Sequence, residues 1–99
     1  MSDRELLEQA AKAAGIAGEY LRYWGDSGIN TGDPDNGLWN PLEDDGDALR
    51  LAVKLDLLPS PRVAHEIAVE RFTRNADKLT ATRRAIVRAA AAMAQEQKP

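Results

Sequence analysis

Residues 62–72 read RVAHEIAVERF, and the fold turns on how this run is taken. As a strand, it places Val63, His65, Ile67 and Val69 on one face. As a helix, it groups Val63, Ile67, Ala68 and Arg71 instead. The β-branched residues and the proline just before the run favour the strand. The chain is then α+β, with three helices packed on a small antiparallel sheet. The helical reading would make it all-α.

The surrounding segments supply the helices. Ser2 and Glu5 fit a capping box, in which each side chain satisfies a free backbone N–H of the other residue. Leu6, Leu7, Ala10, Ala11 and Ala14 form one apolar stripe, and Gly15 suits the left-handed residue that ends a helix. This predicts a helix over 3–14. Residues 42–57 predict a second, with Ala48, Leu51, Ala52, Leu55 and Leu58 inward, ended by DLLPSP at 56–61. A third is predicted over 79–96, capped near Thr80. Leu79, Ile86, Val87, Ala90, Met93 and Ala94 face inward, while Arg84 and Arg88 stand outside.

Between the first two helices, GEYLRYW (18–24) reads as a strand from its aromatic content. GDSGINTGDPDNG (25–37) reads as a loop or wide hairpin end, with four glycines and a proline in thirteen residues. No internal repeat or linker divides the 99 residues, which make one domain with one modest core.

Composition narrows the chemistry. With no cysteine in the chain, disulfides, thiol catalysis and zinc fingers built on thiolates are ruled out. The start, MSDRELLEQ, reads as a helix start and not a cationic leader, and no apolar run reaches the length of a membrane span. The expectation is a cytoplasmic protein. The net charge of −3 hides an asymmetry: residues 1–59 hold 12 acids against 5 bases, and residues 60–99 hold 4 against 8. A surface field is local, so each half can have its own partner.

WNPLEDDGDALRLAVKL (39–55) is the densest acidic stretch. Glu43, Asp44, Asp45 and Asp47 fall directly before an apolar helical pattern. Asn40, Pro41 and Glu43 fit N-cap, N1 and N3, and Asp44 or Asp45 could cap a later start. Carboxylates there lie at the positive end of the helix dipole, each contributing roughly 0.3–1 kcal/mol. With Asp33 and Asp35 they make six acids in fifteen residues, a surface suited to a lysine- and arginine-built site. Trp24 and Trp39 are core candidates; exposed beside the glycine-rich loop, Trp39 would anchor a protein partner.

Other chemistries fit less well. A calcium loop starting at Asp33 would put Gly37, Leu38 and Asp44 at positions 5, 6 and 12, where an oxygen ligand, glycine and glutamate are required. No metal ligand set, cofactor or catalytic residue is assigned. His65, the single histidine, is expected buried or half-buried within its apolar segment. Arg83, Arg84 and Arg88, with Arg74 and Lys78, could contact phosphate and define the alternative, a nucleic-acid-binding regulator. A solvated helix face balancing the acidic half is the simpler account.

Three segments, SDRELLEQAAKAAG (2–15), WNPLEDDGDALRLAVKL (39–55) and ATRRAIVRAAAAMA (81–94), together about half the chain, resemble a class of small bacteriophage proteins of the "ABA sandwich" type. The resemblance implies a first helix, a motif-bearing second helix, a short antiparallel sheet and a last helix. The connection 73–78 is shorter than that pattern carries. It also implies a non-catalytic inhibitor of a host defence complex, as the anti-CRISPR proteins are. The expected partner is a CRISPR surveillance complex, held by Asp33, Asp35, Trp39, Glu43, Asp44, Asp45 and Asp47, with no direct contact to nucleic acid.

Overall fold

Along the chain run α1 (Asp3–Ala14), β1 (Glu19–Tyr23), β2 (Asp26–Asn30), β3 (Leu38–Trp39), α2 (Asp45–Lys54), α3 (Pro61–Arg74) and α4 (Lys78–Glu96). The computed structural model describes residues 1–23, 25–32, 37–58, 61–74 and 77–96. The α+β expectation holds, with four helices among the described residues where three were expected.

The deciding stretch is helical. Pro61 opens α3, where its missing N–H costs nothing, and Val63, Ile67 and Glu70 fall on one face at helical spacing. Val63 and Glu70 are buried and Ile67 is half-buried, while His65 and Ala68 are exposed. The strand reading fails because burying Glu70 with Val63 needs helical spacing, and that outweighs β propensity. His65 accordingly lies outside, contrary to expectation. The sheet stands earlier, before α2, so the order implied by the phage resemblance does not hold either.

Strands β1, β2 and β3 form one antiparallel sheet in that order. Tyr20 pairs with Ile29, and Ile29 with Trp39, so one row crosses all three strands. Ile29 is buried, and Tyr20 and Trp39 pack half-buried against the same core. The glycine-rich segment expected as loop thus contains β2. Gly28 is the reason it can: a Cβ there would lie 2.5 Å from the Trp39 carbonyl oxygen. Only glycine lets the third strand come this close.

Helix α4 is the centre, with α1, α2 and α3 all packed on it. Its Ala81, Ala85, Ala89, Ala90, Ala91 and Ala94 are buried, and α1 packs on it with Leu6, Leu7, Ala10, Ala11 and Ala14 buried. Ile86 and Val87 are buried and Met93 half-buried, but Leu79 is 63% exposed. Leu79 lies in the first turn, outside the packed length. The cap is Asp77, not Thr80: its carboxylate accepts the Thr80 N–H at 2.8 Å and its carbonyl the Ala81 N–H at 2.9 Å.

Two helices end in the same way with different residues. After α1, Gly15 is left-handed (φ 71°), and Ile16 N–H reaches the Ala11 carbonyl at 2.9 Å. After α2, the left-handed residue is Asp56 (φ 54°), and Leu57 N–H reaches the Ala52 carbonyl at 2.8 Å. Both are Schellman endings. The reversal at Asp56 turns Leu57 into the core and leaves Leu58 exposed, the opposite of the periodic expectation. An L side chain is strained in this region, so Asp56→Gly should stabilise the protein by about 0.5–1 kcal/mol in urea titrations. A loss of stability would mean that the Asp56 side chain holds the turn.

Candidate functional site

The acidic stretch is built around Asn40, which is buried. Its side-chain amide donates to the Ser27 carbonyl of β2 at 2.9 Å, and its Oδ1 accepts the Leu42 N–H at 3.0 Å. Its carbonyl accepts the N–H groups of Glu43 and Asp44, closing a turn over buried Pro41 and Leu42. The helix therefore starts later than Asn40: Asp44 is the N-cap, accepting the Asp47 N–H at 2.7 Å.

The carboxylates then divide. Asp47 accepts the Asn40 N–H at 3.0 Å and the Arg50 guanidinium at 2.7 Å, so it fastens the turn to α2. Asp45 pairs with Arg83 of α4 at 2.6 Å, and Arg83 also donates to the Leu42 carbonyl at 2.9 Å. Glu43, Asp44 and Asp45 are exposed, and Asp44 also lies 3.9 Å from Arg50. Asp26, which the sequence reading did not single out, joins them from β2. Asp26, Glu43, Asp44 and Asp47 line an open depression of about 440 Å³ in which Arg50 is the single cationic lining residue among those described. Asp33 and Asp35 lie outside the described residues, as does Trp24. Trp39 is half-buried on the sheet.

Of the two arginines expected to stand outside, Arg84 is buried and Arg88 half-buried. Glu70 is only 1% exposed and Arg84 8%. Arg84 lies 3.3 Å from a Glu70 carboxylate oxygen and 3.1 Å from Asp3 of α1, and Arg88, half-buried, pairs with the other Glu70 oxygen. A carboxylate on the apolar face of α3 needs cations, and the i, i+4 pair on α4 supplies two. Glu70 was missed because, by spacing, Arg71 shared a face with Val63. Its signal was an acid seven residues after Val63, on the same helical face as Val63 and Ile67.

The lone histidine is exposed, and among the described residues no three His, Cys, Asp or Glu side chains are placed to hold a metal ion. Nor is any described helix long and apolar enough to cross a membrane. No known family, curated protein or solved structure matches the chain.

Two measurements test this electrostatic reading. Arg84→Ala takes one cationic partner from buried Glu70 and should cost roughly 3–5 kcal/mol in denaturant unfolding. A change within experimental scatter would mean that Glu70 reaches water. At the start of α4, the Thr80 N–H, with help from its hydroxyl, holds the Asp77 carboxyl below the ordinary 3.8. A depressed acid stabilises the fold above its unfolded value and loses that contribution as pH falls through the folded one. The stability advantage over Asp77→Asn should therefore be flat above about pH 4 and shrink below 3.8. Growth of the advantage in acid would contradict the assigned cap.

Proposed function

We propose that this chain is a non-catalytic inhibitor that binds a basic protein site through its acidic depression. The observation that carries the reading is the composition of that depression, four carboxylates around one guanidinium. Asp45 and Asp47 act as framework, held by Arg83, Arg50 and the Asn40 N–H. Glu43, Asp44 and Asp26 are exposed and present the charge, with Asp44 also capping α2 and lying 3.9 Å from Arg50. Fixing the carboxylates on a helix start and a strand end lowers the ordering cost when a cationic partner arrives. Complementary fields also speed the encounter and reject acidic competitors.

The phage resemblance points to the target: a host defence complex whose nucleic-acid site is built from lysine and arginine, as in a CRISPR surveillance complex. On this reading the chain occupies the site in place of nucleic acid and works in the cytoplasm of the host cell. The alternative, direct nucleic-acid binding by Arg83, Arg84 and Arg88, fits the free protein less well. Asp45, Asp3 and Glu70 already engage those side chains.

The test is a target-DNA binding assay with a purified surveillance complex. The chain should block binding at one-to-one stoichiometry, less effectively as salt rises. Glu43→Gln with Asp44→Asn keeps size and capping ability and should weaken inhibition at least tenfold, about 1.4 kcal/mol. No inhibition by the unaltered chain rejects the target. Full inhibition by the double variant rejects the surface.

A further inference from the structure

We infer that α3 is a releasable cover over an anion-binding arginine pair on α4, and that the ligand it excludes is the phosphodiester backbone of a nucleic acid. The inference concerns a different face from the acidic depression and does not depend on it.

The attachment of α3 has an unusual make-up. Helix α1 buries five apolar side chains, and α2 buries three. Among the described side chains of α3, those buried are Val63 and Glu70, with Glu66, Ile67 and Val69 half-buried. Its principal neighbour is α4. The outward face of Ala64, His65, Ala68 and Arg71 is exposed. Among the described side chains, the polar part of this docking is a carboxylate between two guanidiniums, an interaction that another anion can reproduce.

Arg84 and Arg88 are one helical turn apart, with Cβ atoms about 5–6 Å from each other. Both reach the same Glu70 carboxylate, so both guanidiniums point off one face of α4. Guanidinium forks accept a phosphate as readily as a carboxylate, with the same paired N–H geometry. When a phosphodiester backbone takes the place of Glu70, each arginine keeps an anionic partner. The Glu70 carboxylate then regains water, and Val63 and Ile67 lose their seat. Glu70 therefore acts as an internal competitor, and nucleic-acid binding is coupled to undocking of α3.

Hydrogen exchange on the full chain tests this, with mixed-sequence duplex DNA as the probe at low salt. DNA should accelerate amide exchange across residues 63–74 while α1 and α4 remain protected. Glu70→Gln removes the competing charge and should bind DNA at least tenfold more tightly. Two phosphate contacts imply a slope of about −1.8 in log affinity against log salt. Adding Arg84→Met and Arg88→Met should abolish that binding. Unchanged or slower exchange in α3 with DNA present overturns the inference, as does a folded Glu70→Gln protein that binds no more tightly. If circular dichroism shows Glu70→Gln unfolded, the exchange result on the unaltered chain decides alone.

Discussion

The ionic cluster of Asp3, Glu70, Arg84 and Arg88 brings three helices to one point. Removing such charges from water costs several kcal/mol per ion, and the cost is offset only when opposite charges meet at hydrogen-bonding distance. This requirement is directional, as the rest of the core is not. The buried face of α4 is largely alanine, a smooth surface along which a neighbouring helix could slide with little penalty. Ion pairs to Arg84 and Arg88 set where α3 sits along α4, and the Asp3 contact sets the start of α1.

A second junction, at Asn40, does for the sheet what the ionic cluster does for the helices. One buried amide side chain links β2 to the turn, and the backbone of the same residue links the turn to Asp47 in α2. Sheet and acidic helix start thereby become one rigid unit. The division of labour among the carboxylates follows from it. Asp47 is held at the junction, Asp44 caps α2 and Asp45 pairs with Arg83, while Glu43, Asp44 and Asp45 also face solvent. Charge count alone therefore overstates the surface available to a partner, while geometry adds Asp26 from a strand that the sequence did not suggest.

The two charged halves of the chain also meet. Asp45 with Arg83, and Asp3 with Arg84, join acids of the first half to bases of the last helix. The asymmetry along the sequence is in part internal neutralisation. One contrast that remains at the surface is the depression lined by Asp26, Glu43, Asp44 and Asp47, with Arg50 beside them.

Helix α1 was legible residue for residue, from its capping box to Gly15, because the hydrogen bonds that cap its two ends close within five residues. The same holds for the body of α2, for most of α4 and for an aromatic strand at β1. Residues 62–72 were not legible in this way. The partners of Glu70 are 14 and 18 positions away on another helix, and β propensity carries no term for them. Strand β2 was hidden for the same reason, since Gly28 reads as a loop residue until Trp39 is laid against it. The acidic stretch shows both cases at once. A cap near Asp44 follows from local pattern, whereas the roles of Asp45 and Asp47 depend on Arg83 and Asn40. Those contacts exist only after the helices and the sheet have packed.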